Sequence, residues 1–461
     1  MIMVQWLSLH GFVVLMAVGL FFVNTHTLHQ RRHPSAAIAW LLSLALIPYV
    51  ALPFYLLVGN RKLARPPPPV PMPQPACVGY NAMQVLACRL GLPPPCDYLH
   101  FALHEDGAQS YHAMMALIDG ATQTLDVCTF VLGRDALGRA ICDRMAARAR
   151  EGVRVRLIVD GVGRYLGRCM SLRRLRDSGV DVAIFIPPLA SALPGRTNLR
   201  NHRKLVIADG ERLWTGGRNL ALEYFDHLAR EVEGAAVWQD LTFELHGPIA
   251  QQAHSQFEQD WALARTSVPP SHSPAAALST VTDPPPVQLL PSGPDQFEDT
   301  AYALIIAACY SARQRILVVT PYFVPDPPLR MALTLAARRG VVVDLLLPQR
   351  SNHALADLAR SAALRELYTA GARIWLKPTM ILAKAMVFDT DLAFAGTVNL
   401  DERSLFLNFE LLIAFYRTSD VQQFERWIDA QRADAMPFNA RLPGPARQLA
   451  EGMARWLAFQ L

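Results

Sequence analysis

NHRKLVIADGERLWTGGRN, residues 201–219, joins an apolar run to several residues that carry chemistry. His202 and Lys204 lie two residues apart, so on a β-strand their side chains leave the same face. The run LVIA that follows is apolar and β-branched enough to form that strand. A buried strand has little reason to hold a histidine and a lysine on one face unless an anion lies there. An edge strand with two solvated polar residues is the other interpretation of this segment.

The order of segments around residues 201–219 occurs twice in the chain. In the first copy, helix patterns alternate with the strand patterns TLDVCTFVL, VRVRLIVDG and VDVAIF. After residue 290 the same order returns, with strand patterns ILVVTPYFV, RGVVVDLLLPQ and ARIWL. Such alternation predicts α/β domains with mixed or mostly parallel sheets flanked by helices. A repeat of roughly 180 residues is too long for a solenoid unit, so we expect two fused copies of one domain, packed with pseudo-twofold symmetry.

The chain of 461 residues is 52% hydrophobic, and its apolar excess is concentrated at the N-terminus. Residues 5–23 and 35–59 are apolar runs long enough to cross a bilayer as a two-helix hairpin. A cleaved signal peptide is the alternative for the first run, which lacks a basic leading segment and a persuasive cleavage site. The predicted divisions are two transmembrane helices in 1–63, a proline-rich extended linker in 64–98, a first domain in 99–265, a linker in 266–290 and a second domain in 291–461.

Net charge and cysteine content limit the possible binding partners and the cellular compartment of the protein. The net charge of +5 fits an anionic membrane surface or a phosphate-bearing ligand. The chain has no basic track interleaved with aromatic residues, which disfavours nucleic acid as a partner. Three basic residues follow the second apolar run and two lie in the loop before it, a bias that predicts a cytoplasmic body. Seven cysteines without paired or metal-like spacing predict free thiols in a reducing compartment and no metal site.

The duplicated polar strands predict one shared site. At a pseudo-axis, Lys204 and Lys384 would converge with Asn219 and Asn399 on a single phosphate group. Ammonium and amide donors stabilise the charge that builds on its non-bridging oxygens during a displacement. A histidine from one half can attack phosphorus while a histidine from the other half protonates the leaving alkoxide. This chemistry requires neither a metal nor a cofactor.

The pattern H-x-K-x-x-x-x-D followed by G-[GS]-x-N resembles the motif of the phospholipase D superfamily. The residues that match it are His202, Lys204, Asp209 and Asn219 in the first half and, less completely, Lys384, Asp389 and Asn399 in the second. The hairpin ending YLLVGNRK and the segments TPYFVPD and LNFE are similar to the bacterial cardiolipin synthases. The resemblance implies a multi-pass protein of the bacterial inner membrane. It also implies transfer of a phosphatidyl group from one phosphatidylglycerol to another, through a phosphohistidine at His202, with release of glycerol.

The resemblance further implies roles for individual residues. Its catalytic residues would be His202, Lys204, Asp209, Lys384 and Asp389. Acids downstream of each motif orient the histidines, and Glu410 and Asp240 are the candidates, although Asp240 also reads as an ordinary acid at a strand start. Such an acid fixes the imidazole tautomer and stabilises the imidazolium. The expected partners are anionic phospholipids and the membrane, with no nucleic acid.

Leu382 departs from the pattern, because the second histidine of the motif belongs at this position. Leucine cannot transfer a proton, and general acid–base catalysis is typically worth ~10²–10⁴ in rate. One interpretation is a lipid-binding pseudoenzyme or a partner of an active member of the family. A second is a compensating acid, for which His353 is the nearest candidate, although it also reads as a solvated loop histidine. A third is a sporadic change in an active enzyme. A phospholipase D hydrolase or a nuclease fits the membrane hairpin less well.

Overall fold

The computed structural model of the chain describes residues 2–27, 34–59, 61–63, 79–167, 172–188, 197–266 and 284–457. Three helices come first: α1 (Ile2–Thr27), α2 (Pro34–Leu46) and α3 (Pro48–Val58). The second apolar run is split because Pro48 disfavours helical backbone at Ile47, whose φ is −133°. The side chains that these helices bury together are Ala17, Phe21, Leu44, Ala51 and Tyr55. No described helix combines the length and the apolar character needed to cross a bilayer, and the transmembrane hairpin stays a prediction.

Helix α4 (Ala82–Arg89) lies within the segment predicted as an extended linker. Its sequence contains no proline, and Asn81 and Gln84 form a capping box that starts the helix. Leu92, just beyond the helix, packs into the core of the second half of the protein. This part of the chain therefore differs from the prediction, whereas residues 64–78 of the predicted linker lie outside the described residues.

The first half contains a mixed sheet of seven strands in the order β1-β9-β7-β6-β2-β3-β4. The strands of this half are β1 (His100–His104), β2 (Thr124–Thr129), β3 (Arg154–Asp160), β4 (Asp181–Phe185), β5 (Arg200–Asn201), β6 (Leu205–Ala208), β7 (Arg212–Gly216), β8 (Trp238–Gln239) and β9 (Thr242–His246). The helices are α5 (Gly107–Asp119), α6 (Ala136–Arg150), α7 (Gly163–Leu166), α8 (Leu172–Asp177), α9 (Asp226–Ala229) and α10 (Pro248–Thr266), with a 3₁₀ turn at Leu222–Tyr224. The predicted strands β2, β3 and β4 pair in parallel, and the motif strand β6 joins β2 antiparallel.

The second half repeats this arrangement. Its main sheet has the order β10-β19-β17-β16-β11-β13-β14-β20. The strands are β10 (Val287–Ser292), β11 (Arg315–Val319), β12 (Phe323–Val324), β13 (Val342–Pro348), β14 (Arg373–Lys377), β15 (Met380–Ile381), β16 (Ala385–Phe388), β17 (Leu392–Gly396), β18 (Leu400–Asp401), β19 (Asn408–Phe415) and β20 (Met436–Pro437). The helices are α11 (Thr300–Ser311), α12 (Pro327–Arg338), α13 (Ala354–Thr369), α14 (Glu402–Phe406), α15 (Thr418–Arg432) and α16 (Pro445–Leu457). Strand β10 begins inside the second predicted linker, whose residues 267–283 lie outside the described residues.

Two short strands cross between the halves. Strand β5 of the first half pairs in parallel with β19 of the second, and β15 of the second half pairs in parallel with β8 of the first. One apolar core contains residues of both sheets, including Leu205 and Phe243 from the first and Val387 and Ile413 from the second. The two sheets therefore share a core at the interface, and each motif strand begins beside the partner half.

Arg203 joins the halves within this interface. Its side chain is 0% exposed, and its guanidinium pairs with Asp260 on α10 and, at 2.7 Å, with Asp295 beyond β10. Its Nε donates to the backbone oxygen of Glu410 at 2.9 Å. A buried guanidinium is stable only when partners of this kind satisfy it. The position between the two motif residues is thus a structural junction.

We expect Arg203→Met to lower the free energy of unfolding by ~3–5 kcal/mol, because it leaves two buried carboxylates without their cation. The matched control is Arg144→Met, which removes an ion pair between Arg144 and Asp119 whose side chains are 51% and 41% exposed. That loss should stay below ~1 kcal/mol. Urea unfolding of the purified variants measures both effects. Equal losses would contradict the assignment of Arg203 as the junction.

Candidate active site

His202 stands where β5 ends and is held by the other half of the protein. Its backbone N–H donates to the oxygen of Phe409 at 2.8 Å. Its ring Nδ1 lies 3.0 Å from both carboxylate oxygens of Glu410, the next residue along β19. The carboxylate accepts, so Nδ1 carries the proton and the lone pair of Nε2 remains for chemistry. The His202 side chain is 16% exposed while that of Glu410 is fully buried, so only the ring is open to a substrate.

Glu410 is fixed as a carboxylate by several donors. The side chains that donate to it besides His202 are those of Thr397, Ser404 and Asn408. Burial alone would raise the pKa of Glu410, but its interactions with His202, Lys204 and Ser404 outweigh burial and leave the pKa lowered. Burial lowers the pKa of His202 to about 4, against the opposing charge of Glu410. A neutral imidazole therefore faces the site at neutral pH, the form that a nucleophile requires.

Two buried lysines lie beside this histidine. Lys204 Nζ donates to the backbone oxygen of His202 at 2.7 Å, and Lys384 Nζ donates to the backbone oxygen of Leu382. Burial, followed by the charge of Lys384, lowers the pKa of Lys204 to about 7, and burial lowers the pKa of Lys384. Two neighbouring cations removed from water form a site that a bound anion would stabilise. The phosphate cradle expected from the sequence stays a prediction for this pair of lysines.

The two predicted asparagines follow tight turns next to the lysines. Gly216 and Gly396 have φ of 142° and 158°, and a Cβ there would lie 2.3 Å and 2.1 Å from a backbone oxygen, so only glycine fits. Asn219 Oδ1 accepts from the N–H of Val131 at 3.2 Å. Asn399 Oδ1 is buried and has no hydrogen-bond partner among the described residues. Asn399 Oδ1 is thus a buried acceptor without a donor among the described residues.

The position equivalent to His202 in the second half is Leu382. Its N–H donates to the oxygen of Gln239 at 2.6 Å, as the N–H of His202 does to Phe409. Asp240 follows Gln239 as Glu410 follows Phe409 and is 1% exposed. Leu382 is itself buried, and a leucine at this position has no imidazole for Asp240 to orient. Asp240 occupies the predicted place without the predicted partner.

The structure does not bring Asp209 and Asp389 to this cluster. The strand that separates Lys204 from Asp209 spans roughly 16 Å at ~3.3 Å per residue. Asp209 accepts from the backbone N–H groups of residues 122–124, and Asp389 accepts from those of residues 313–315. Both aspartates have positive φ, 56° and 51°, at the turn after the motif strand. This placement does not support the catalytic part predicted for either residue and indicates that each stabilises the entry to a neighbouring strand.

His353 lies just before α13 with its side chain exposed. Its ring contacts that of Tyr322 edge-on at 5.2 Å between centroids. Burial lowers its pKa and the charge of Asp357 opposes that change, while neither lysine of the cradle contributes. His353 is therefore outside the cluster formed by His202, Glu410 and the two lysines. Within the described parts of the chain, no group of His, Cys, Asp and Glu has a metal-binding arrangement.

Sequence reasoning missed the residues that hold Glu410 and the residues that hold Arg203. Thr397 and Ser404 were visible in the second motif, but nothing in their spacing showed that both donate to an acid on β19. The spacing of Asn408 and Glu410, two residues apart in LNFE, was the available signal. The ion pairs of Arg203 had no signal, since their aspartates are 57 and 92 residues away along the chain.

Comparison with known proteins gives matches over most of the chain. A family profile described as the phospholipase D-like domain of cardiolipin synthase matches residues 114–261 and 305–432, and one described as Phospholipase D-nuclease N-terminal matches residues 12–60. Cardiolipin synthase A of Pseudomonas aeruginosa (strain UCBPP-PA14) is 30% identical over 441 residues, covering 91% of this chain and 88% of that protein. Cardiolipin synthase of Geobacillus kaustophilus is 29% identical, covering 94% and 91%.

One solved structure shows the same fold. Phosphatidylserine synthase of Haemophilus influenzae superposes with a TM-score of 0.61 at 13% identity, covering 83% of this chain and 100% of that chain. At this identity the likeness concerns the fold alone. It supports the duplicated mixed-sheet architecture described above.

We expect anion binding at the cradle to weaken as the pH rises. Lys204 binds an anion when it is protonated, and its pKa of about 7 means that protonation is lost above that pH. Affinity for tungstate, whose charge is constant near neutrality, should approach a fall of about tenfold per pH unit above pH 7. Calorimetric titration between about pH 6 and pH 9 measures this effect.

Two variants complete the anion-binding test. Lys384→Met should weaken tungstate binding at every pH. Lys377→Met is the matched control, because Lys377 is a buried lysine paired with Asp434 outside the cluster. Affinity that does not change with pH, or that falls equally in both variants, would contradict the lysine cradle.

Proposed function

The chain belongs to the family of phospholipase D-like cardiolipin synthases, and we propose on that premise that it transfers a phosphatidyl group between phosphatidylglycerol molecules. The observation that carries this proposal is the pair formed by His202 and Glu410 across the two halves. A neutral imidazole with a fixed tautomer, next to two buried lysines, suits attack on a phosphodiester. Anionic phospholipids are the substrates in this proposal, which is supported by the similarity to cardiolipin synthases.

The reaction proceeds in two displacements in this proposal. In the first, Nε2 of His202 forms a bond to phosphorus while the bond from phosphorus to the glycerol oxygen breaks, and the glycerol leaves with one proton. In the second, the terminal hydroxyl of another phosphatidylglycerol attacks phosphorus, its proton departs and the bond to His202 breaks. Lys204, Lys384 and the amide of Asn399 stabilise the non-bridging oxygens in both steps. The product is cardiolipin, and one glycerol is released.

The N-terminal segment supplies the membrane location in this proposal. Large apolar side chains of its helices are exposed, among them Phe12, Leu15 and Leu46. Lys62 ties the end of the segment to the second half through an ion pair with Asp299 at 2.8 Å. We infer that the segment holds the body at the bacterial cell membrane, on the cytoplasmic side that the charge bias favours. Lipid substrates would then reach the site without leaving the bilayer surface.

Leu382 favours a second candidate function. A protein that keeps the cradle but lacks the histidine of the second motif could bind anionic lipids without turnover and act beside an active family member. In that case His202 would accept a phosphatidyl group slowly and fail to pass it on. Transferase activity and lipid binding without turnover are separated by one assay.

We expect the wild-type protein in vesicles of phosphate-labelled phosphatidylglycerol to form cardiolipin and free glycerol. His202→Ala should form neither product and should acquire no label. Acid-labile label on denatured wild-type protein would identify the phosphohistidine. A rise of ~10²–10⁴ in Leu382→His, the value typical of general acid–base catalysis, would show that no other group supplies the proton in the wild-type protein. Lipid thin-layer analysis measures the products.

Two histidine controls interpret that assay. His112→Ala changes an exposed histidine on α5 and should leave activity unchanged. His353→Ala tests the compensating acid predicted from the sequence. Cardiolipin formation by His202→Ala would contradict the proposed function, and turnover only in Leu382→His would favour the lipid-binding alternative.

A further inference from the structure

The two halves present carboxyl groups in equivalent places but in opposite surroundings. Glu410 receives hydrogen bonds from four side chains. Asp240 receives one, from the backbone N–H of Leu241 to its Oδ1 at 2.7 Å. Its Oδ2 is buried and has no hydrogen-bond partner in the described part of the chain. An unsatisfied buried carboxyl oxygen is costly as an anion, which favours the protonated acid.

The turn beside each acid explains the difference. Thr397 follows Gly396 and donates its hydroxyl to Glu410. Gly217 holds the same place after Gly216 and has no side chain to donate. A Cβ at Gly217 would lie 2.1 Å from Asp240 Oδ1, so the carboxyl occupies the space that a donor side chain would fill. The two sites therefore differ, because one surrounds its carboxylate with side-chain donors and the other leaves a buried carboxyl oxygen without a donor among the described residues.

We propose that Asp240 performs the proton transfers for which position 382 lacks a histidine. This inference rests on the proposed phosphatidyl transfer. The buried acid belongs to the same charged cluster as the nucleophile, because the charges of Lys204 and Lys384 act on Asp240, Glu410 and His202 alike. A general acid acts directly or through one water, and in this proposal Asp240 reaches a phosphate in the cradle in one of these two ways.

The proton balance is closed by one group. In the first displacement the carboxyl of Asp240 gives its proton to the departing glycerol oxygen and becomes a carboxylate. In the second displacement that carboxylate takes the proton of the attacking hydroxyl and returns to the acid. The bond between phosphorus and His202 forms in the first step and breaks in the second. No further reactant is required.

Two other acids lie in this cluster. Glu410 is ionised and orients His202. Burial raises the pKa of Asp401 to about 7, and Asp401 accepts from the backbone N–H of Ser404 at the start of α14. Asp240 differs from Asp401 in its place, because it follows Gln239, whose backbone oxygen accepts from the N–H of Leu382. Its Oδ2 also has no hydrogen-bond partner among the described residues.

The surroundings of Asp240 also give the direction of its pH dependence. Burial raises its pKa, and the charges of Lys384, Arg218 and Lys204 oppose that rise without cancelling it. The side chains of Tyr224 and Tyr322 also interact with it and are neutral at ordinary pH, since burial raises the pKa of each. Paired carboxyl groups whose pKa values are pushed apart are typical of acid and base roles. Turnover should fall as the pH rises through the pKa of Asp240, because the acid must be protonated.

The test compares two substrates that differ in the leaving group. Phosphatidylglycerol releases an alkoxide that needs a proton, whereas phosphatidyl-p-nitrophenol releases a stable phenolate that needs none. Asp240→Asn should slow phosphatidyl transfer from phosphatidylglycerol by ~10²–10⁴. The same variant should keep the burst of nitrophenolate, with the phosphatidyl group retained on His202. The amide is isosteric with the carboxyl and neutral, so we expect this variant to fold.

Two matched variants keep the outcomes distinct. Glu410→Gln should lose the burst and the transfer together, because it disturbs the nucleophile. Leu382→His should reduce the effect of Asp240→Asn on the leaving-group preference, since an imidazole then supplies the proton. Equal losses on both substrates in Asp240→Asn would overturn the assignment. Absence of any nitrophenolate release by the wild-type protein would instead overturn the proposed function on which the assignment rests.

Discussion

The hydrogen bond between His202 and Glu410 is the constraint on which the rest of the structure depends. It joins a residue of the first half to a residue of the second, 208 positions later along the chain. A ring held at 3.0 Å cannot tolerate independent movement of two domains. The crossing strands β5 and β15, the shared apolar core and the pairing of Arg203 with Asp260 and Asp295 all serve to fix this relation. The two copies of the domain therefore form one shared site.

Charge burial explains why the site must be built so tightly. Two lysines, an ionised glutamate and an aspartate lie almost wholly out of water, and each isolated charge would be costly there. Hydrogen bonds from four donors offset the cost of burying Glu410. The cost of burying Lys204 is expressed in its pKa, which is lowered to about 7. A phosphodiester between the lysines would supply the missing negative charge. Substrate binding and relief of this electrostatic cost are then the same event.

The sequence was sufficient for the components and insufficient for their pairing. The repeated alternation of strands and helices predicted both α/β halves. The predicted strand face for His202 and Lys204 differs from the structure, because both residues lie between β5 and β6. Which acid contacts which histidine position depends on the pairing of β5 with β19 and of β15 with β8. The local sequence does not predict this pairing between the halves. Asp209 and Asp389 fit the motif but lie at the far ends of their strands, where backbone N–H groups hold them. A motif shows which residues recur, but it does not show whether a residue stabilises a turn or takes part in the reaction.

Helix α4 and strand β10 were not predicted from the sequence, for a related reason. Proline-rich surroundings predicted a linker over both, yet the capping pair of Asn81 and Gln84 and the apolar VQLL run of β10 are enough once the second half offers a surface. Tertiary burial outweighs local composition in such short segments. Local cues remained reliable where the segment was long and periodic.

The strand pairing between the halves also determines which parts of the site a leucine at position 382 affects. The supports of His202 are Glu410 and the side chains that hold it, and all of them come from the second half without involving Leu382. The backbone around Leu382 keeps its own hydrogen bond to Gln239 and keeps Lys384 in place. The difference is therefore confined to one side chain, while the hydrogen bonds that hold His202 and Lys384 stay in place. A duplicated fold whose halves support each other's residues can lack one imidazole and still hold the other in a fixed orientation.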